Sequence, residues 1–179
     1  MTAMMFCNLP TSMSRDAFIE SFGGIYEHSA WVAERAWDTG LNASDDTVEG
    51  LAHTLARIVD AAGDDAGRQL ILEHPDLAGK AAIAGELTDS STSEQASAGL
   101  DQCTPAQFER FTQLNAQYRA RFDMPFIMAV RGSSREAILA AFDARLHNSP
   151  EAEYATAIEQ IHKIALLRLT ALAESPTDG

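Results

Sequence analysis

The chain has 179 residues, with 26 Asp and Glu against 13 Lys and Arg, a formal charge of −13, and only two Cys. That length suits one domain burying roughly 70% of the surface of its unfolded chain, so no disulfide or metal staple is required. The acidic balance argues against generic binding to nucleic acid or an anionic membrane.

Alanine is abundant (31 residues) and valine scarce, which favours helix over strand. No alternating run flanks a tight-turn dipeptide, and no repeat or low-complexity tract occurs. The expected fold is therefore all-α, a compact bundle-like domain of about eight helices. Ser14 caps a first helix, Arg15 to Phe22, closed by Gly23-Gly24. A second runs from about Ser29 to Asp38 and stops at Gly40. Asp46 and Glu49 have capping-box spacing and open a third, to Ala62, with Val48, Leu51, Leu55, Ile58 and Val59 on one face. Asp64-Asp65 begins a short helix to about Glu73, which Pro75 ends by pushing His74 out of helical geometry.

The stretch from His74 to Asp89, with Gly79 and Gly85, does not read as helix. Ser91-x-x-Glu94 is a second capping box and opens a short helix to Gly99. Thr104-Pro105-x-Gln107 is a strong start signal for a helix reaching Phe122, closed by Pro125. Residues 123–132 form an apolar, extended strip. Ser133 and Glu136 open a helix to about His147, and Ser149-Pro150 starts the last and longest one. Its apolar stripe is Tyr154, Ile158, Ile161, Ala165, Leu169 and Leu172. The domain is expected to span 1–174, with 175–179 as a flexible tail.

Other signals narrow the class. Cys7 and Cys103 form no spacing motif, and the N-terminal segment has no basic stretch ahead of an apolar core. Both point to a reduced, cytoplasmic protein. No apolar run approaches the roughly 18 residues that span a bilayer. Cys-x-x-Cys, His-x-x-x-His, Gly-x-Gly-x-x-Gly, Gly-Lys-Ser/Thr and Gly-x-Ser-x-Gly are all absent, so metal, nucleotide and common hydrolase readings lose their support.

Four residues could carry chemistry. His74 ends a helix beside Pro75, where the negative end of the helix dipole favours its protonated form, and it suits acid/base work near neutral pH. The alternative is a surface histidine at a helix stop. Glu94 is either the acid of a capping box or a carboxylate beside Gln95 that orients an imidazolium. Arg131, after the apolar strip, is either an anion receptor able to grip a carboxylate with two parallel bonds or one half of a surface ion pair. His28 is similarly ambiguous, its alternative being hydrogen-bonded capping near Ser29. Spacing alone does not join these residues.

A family resemblance does. His74-Pro75-Asp76-Leu77, Ser91-Thr92-Ser93-Glu94-Gln95-x-x-Ala98-Gly99-Leu100, Phe111-x-x-x-Asn115-x-x-Tyr118-x-x-Arg121-Phe122 and Pro125-Phe126-Ile127 resemble OHCU (2-oxo-4-hydroxy-4-carboxy-5-ureidoimidazoline) decarboxylase. So do the Phe22-Gly23-Gly24-Ile25-Tyr26-Glu27-His28-Ser29-x-Trp31 segment and the closing Ala157-Ile158-x-x-Ile161-x-x-Ile164-x-x-Leu167-Arg168-Leu169 helix. The chain departs from the pattern at Asp123, where the family usually has Gly, and at Ala30, where bacterial members often have Pro. The resemblance implies an all-α, usually dimeric enzyme without metal or organic cofactor. It would convert the product of 5-hydroxyisourate hydrolysis into (S)-allantoin by losing CO2. It assigns acid/base work to His74 supported by Glu94, and polar contacts with the ring and ureido groups to Ser91 and Gln95. Arg131 and the amides of Ile127, Met128 and Ala129 would complete a pocket shaped by Pro75. The rival is a non-catalytic helical module that binds a ligand or a protein.

Overall fold

The computed structural model describes residues 2–175, and the described residues form nine α-helices with three short 3-10 turns and no strand. The only β-type pairing among them is a single bridge between Met5 and Thr47. The expected tail falls, from residue 176 on, outside the described residues. The chain divides into two compact units. One comprises the residues up to Glu73 with those from His162 onward; the other is His74–Ile161.

In the first unit, α1 (Arg15–Phe22), α2 (Trp31–Thr39), α3 (Val48–Ala61) and α4 (Asp64–Leu72) follow the sequence punctuation closely. Ser14 accepts from the Ala17 amide at the start of α1. Phe18, Val32, Ala36, Leu51, Leu55 and Ile71 are fully buried, so each helix contributes an apolar face to this core. The α3 start differs from the expected Asp46–Glu49 box. Thr47 is the cap, accepting from Gly50 N–H at 3.0 Å, while Asp46 turns away to accept both the amide (2.9 Å) and the hydroxyl (2.8 Å) of Thr11. A competing long-range partner for the carboxylate thus moved the cap by one residue. The second half of the last helix belongs to this unit. Its Arg168 makes a buried ion pair with Glu27 at 2.7 Å and donates to the Gly24 carbonyl.

The second unit holds α5 (Lys80–Ala84), α6 (Asp89–Ser97), α7 (Pro105–Phe122), α8 (Arg135–Arg145) and the first half of α9 (Pro150–Glu174). Its core is aromatic. Phe126 stacks on Phe142 at 3.8 Å between centroids, and Tyr118 meets both rings edge-on at 5.4 and 6.0 Å. The Thr104–Gln107 capping box forms as the sequence implied. The cap of α8 is Ser134 rather than Ser133. The five-residue α5 lies within the stretch that sequence reading left without helix, bounded by Gly79 and by Gly85 in the left-handed region. On α9 the expected stripe is buried at Ile161, Ala165 and Leu169, whereas Leu172 is exposed.

Candidate functional site

Three pieces of the second unit carry the residues singled out above: the segment 74–79, helix α6 and the strip 123–131. Helix α6 begins one turn earlier than its sequence suggested. Thr88 is the cap, accepting from Ser91 N–H at 3.2 Å. Ser91 and Glu94 therefore lie in the helix body, and the capping-box explanation for Glu94 falls away. With Gln95 they form one buried face of α6: Ser91 is 5%, Glu94 9% and Gln95 5% exposed. Ser91, Glu94 and His74 each make a further interaction. Placing a carboxylate in a helix face that water barely reaches is costly unless the charge is compensated.

His74 follows the α4 cap residue Glu73 and is itself buried, at 7% exposed. The reading of His74 as an exposed helix stop is thereby corrected. The backbone behind it is fixed from α6 and α7. Gln95 accepts from Ala78 N–H at 3.1 Å and donates to the Asp76 carbonyl at 3.3 Å. Asn115 donates to the Leu77 carbonyl at 2.9 Å. Arg119 pairs with the Asp76 carboxylate at 2.9 Å. Within this clamp Ala78 takes a left-handed conformation, φ 50°. Both ends of the Gln95 amide thus bond the backbone of the His74 segment, a positioning task the sequence did not disclose. Pro75, the next residue in the chain, is half-buried.

The strip 124–130 is irregular backbone between α7 and the turn at Arg131-Gly132. Helix α7 closes on Asp123 in the left-handed region, φ 55°, where the family's usual glycine would sit without strain. Phe126 and Ile127 are buried, and Met128 and Ala129 half-buried. Arg145 donates to the Ile127 carbonyl at 2.6 Å, its guanidinium lying 4.2 Å from the Phe126 ring centre. The same arginine grips the buried Glu153 at 2.8 Å, which also accepts from Tyr118 at 2.5 Å and Asn148 at 2.9 Å. Burial by itself would raise the Glu153 carboxyl, but these bonds outweigh it and hold it below the usual carboxylate range. Burial, then the bond to Glu153, pushes the Tyr118 phenol well up. The Ala129 amide, one of the three expected to face substrate, donates to the Gln160 side chain at 3.0 Å. Arg131 stands exposed on the turn that follows the strip.

A cavity of about 320 Å³ opens between α5, α6 and the start of α7, lined by Ala82, Ile83, Leu87, Leu100 and Phe108. Gln95 is the one predicted site residue on its wall. Among the described residues, no cluster of three or more His, Cys, Asp or Glu side chains could hold a metal ion, and no helix is long and apolar enough to cross a membrane.

The family profile described as OHCU decarboxylase matches residues 11–170. The chain belongs to the OHCU decarboxylase family. It is 44% identical over 154 residues to the 2-oxo-4-hydroxy-4-carboxy-5-ureidoimidazoline decarboxylase of Haloferax volcanii, covering 86% of this chain and 88% of that protein. Among solved structures it is similar to an (S)-allantoin synthase, at 33% identity and a TM-score of 0.71, over 91% of this chain and 52% of that one. It thus spans about half the length of that protein. An OHCU decarboxylase structure determined in the presence of (S)-allantoin matches with a TM-score of 0.68 at 20% identity, over 87% of this chain and 99% of that one, a likeness of fold.

Sequence reasoning missed Asn115, Arg119, Arg145 and Glu153. Asn115 was inside a recognised motif but had no assigned task. The Arg145–Glu153 pair spans two helices and the break between them, so no helical spacing announced it.

Proposed function

We propose that this chain decarboxylates 2-oxo-4-hydroxy-4-carboxy-5-ureidoimidazoline to (S)-allantoin, a step in urate breakdown, with His74 as the acid/base group supported by Glu94. The observation that carries the assignment is the buried polar face of α6, tied through Gln95 to the backbone directly after His74. A cap needs no such face, and neither does a core. Family membership over residues 11–170 supports treating 1–174 as one catalytic domain.

The substrate's own structure makes the chemistry accessible. The ring carbon that carries the carboxylate also carries a hydroxyl and adjoins a ring imine. As its bond to the carboxylate breaks, CO2 leaves and the electron pair moves toward the imine, whose nitrogen takes a proton. The resulting enol becomes a carbonyl when its hydroxyl proton departs and the neighbouring ring carbon gains a proton on one face. Two protons are given, to the imine nitrogen and the ring carbon, and one is removed from the hydroxyl, a net uptake of one that balances the charge of the lost carboxylate; an imidazole can both give and take. The ring imine serves as the electron sink, so no separate sink is called for. The buried Glu94 carboxylate would support and orient the His74 ring during these transfers. Ser91 and Gln95 would present polar atoms to the ring and ureido groups beside Pro75. The backbone at Ile127, Met128 and Ala129 and the Arg131 guanidinium would meet the substrate's remaining oxygens; Ala129 would first have to exchange its Gln160 partner for substrate. With the whole protein acidic, attraction for the substrate carboxylate must be local, from Arg131 and the imidazolium. The family resemblance supports a homodimer, and two free cysteines fit a reducing cytoplasm.

The test generates substrate in place from urate with urate oxidase and hydroxyisourate hydrolase, and follows allantoin by circular dichroism. The expected result is a fast rise of the (S) signal on adding this protein. Slow, racemic formation at the uncatalysed rate would reject the reading and favour the non-catalytic module.

A further inference from the structure

The segment behind His74 is over-determined in a way the reaction itself does not explain. Ala78 is 4% exposed and sits at φ 50°, a conformation that costs an alanine on the order of 1–2 kcal/mol and persists only where the surroundings enforce it. The enforcing bonds come from Gln95 to the amide of Ala78 and from Asn115 to the carbonyl of Leu77, the residue before it. Asn115 reaches this carbonyl from the middle of α7, between the buried Leu114 and Tyr118, and is itself 7% exposed. Its Oδ1 bonds no protein atom among the described residues, so the protein bonding of the amide goes to Leu77.

We propose that Asn115 is a positioning residue for His74, an inference that rests on the decarboxylase reading. It acts through the Leu77 carbonyl. Holding that oxygen keeps the peptide before Ala78 in register and Ala78 in its left-handed state. The turn that begins at His74-Pro75 then has one conformation, and the imidazole one aim. Release of the carbonyl lets Ala78 relax to negative φ and rotates the backbone three residues from the imidazole. A misplacement on the order of 1 Å costs a reaction about 10²-fold.

The test uses the full chain with Asn115→Leu, which keeps the volume and removes the donor, and Asn115→Asp, which keeps the shape and puts oxygen against the carbonyl. Either suffices if the other fails to fold. Per folded molecule, kcat should fall about 10²-fold with KM held within about threefold. Adding Ala78→Gly to Asn115→Leu should restore about tenfold, because glycine holds φ 50° without strain. A structural role predicts activity that falls only with the folded fraction and no recovery on adding Ala78→Gly; either outcome overturns the proposal. A second readout needs no substrate: the His74 ring resonance, assigned by its loss in His74→Gln, should move in both Asn115 variants at unchanged helical content. If the wild type makes no (S)-allantoin, the decarboxylase reading fails. The resonance then decides alone whether Asn115 positions the imidazole, and an unmoved resonance rejects it.

Discussion

Arg145→Met is the perturbation whose consequence follows most directly from the geometry. Arg145 contacts Glu153 at 2.8–3.2 Å through two nitrogens, donates to the Ile127 carbonyl at 2.6 Å and lies over Phe126. Methionine keeps most of the packing and removes every one of those bonds. Glu153, 0% exposed, would keep only Tyr118 and Asn148. Breaking one side of a buried pair costs about 3–5 kcal/mol, most of it the penalty of an uncompensated charge. In a chain of this size that is a fall in melting temperature of about 10 °C. The pH dependence has a definite sign. In the wild type the Glu153 carboxyl is depressed, so its contribution is present above the unfolded value and lost as pH falls through the folded value. In the variant burial dominates and raises the carboxyl, so acidification relieves the penalty. The stability gap should therefore narrow between about pH 7 and about pH 4. Urea unfolding followed by circular dichroism at both pH values measures it. Adding Glu153→Gln should recover a large part of the neutral-pH loss. A loss below about 1 kcal/mol, or a gap that widens in acid, would refute the reasoning.

Other consequences can be checked alongside. Asp123→Gly should raise stability by about 1 kcal/mol, because glycine occupies the left-handed cap without strain; a lower urea midpoint would count against that account. Arg131→Ala should raise KM with kcat little changed, and an unaltered KM would remove it as the anion receptor. Chelator treatment should leave the rate intact, whereas a loss restored by added metal would overturn acid/base catalysis by side chains alone. Gly50→Ala should unfold the first unit at moderate temperature, since a β-carbon there would overlap the Ser44 carbonyl; an unchanged melting temperature would show that this turn yields.

How far the fold was legible depended on whether a signal was local. Helix bodies and their stops are punctuated by Gly, Pro and Ser/Thr within a few residues, so α1, α7 and α9 matched their expected bounds closely. Caps were less secure because several side chains compete for one amide. Thr88 displaced Ser91 on α6, and Thr47 displaced Asp46 once Thr11 had claimed that carboxylate. That first displacement changes the functional reading, since it moves Glu94 from a cap into a buried helix face. Sequence also hid every residue whose partner is distant. Asn115 and Leu77 are 38 positions apart, and Gln95 and Ala78 are 17 apart. Their tasks follow from how α6 and α7 pack against the 74–79 segment. The residues proposed for chemistry stand in the family motif, as do Gln95 and Asn115, but the holding tasks of those two were not legible.

The central claim is that His74 carries out the proton transfers. Wild type and His74→Ala should be compared side by side in the coupled urate reaction, with circular dichroism recording both allantoin chirality and helical content. The account predicts a helical spectrum unchanged in the variant and loss of the (S) signal, with the rate down by about 10²-fold or more. A His74→Ala protein that forms (S)-allantoin at the wild-type rate would contradict it.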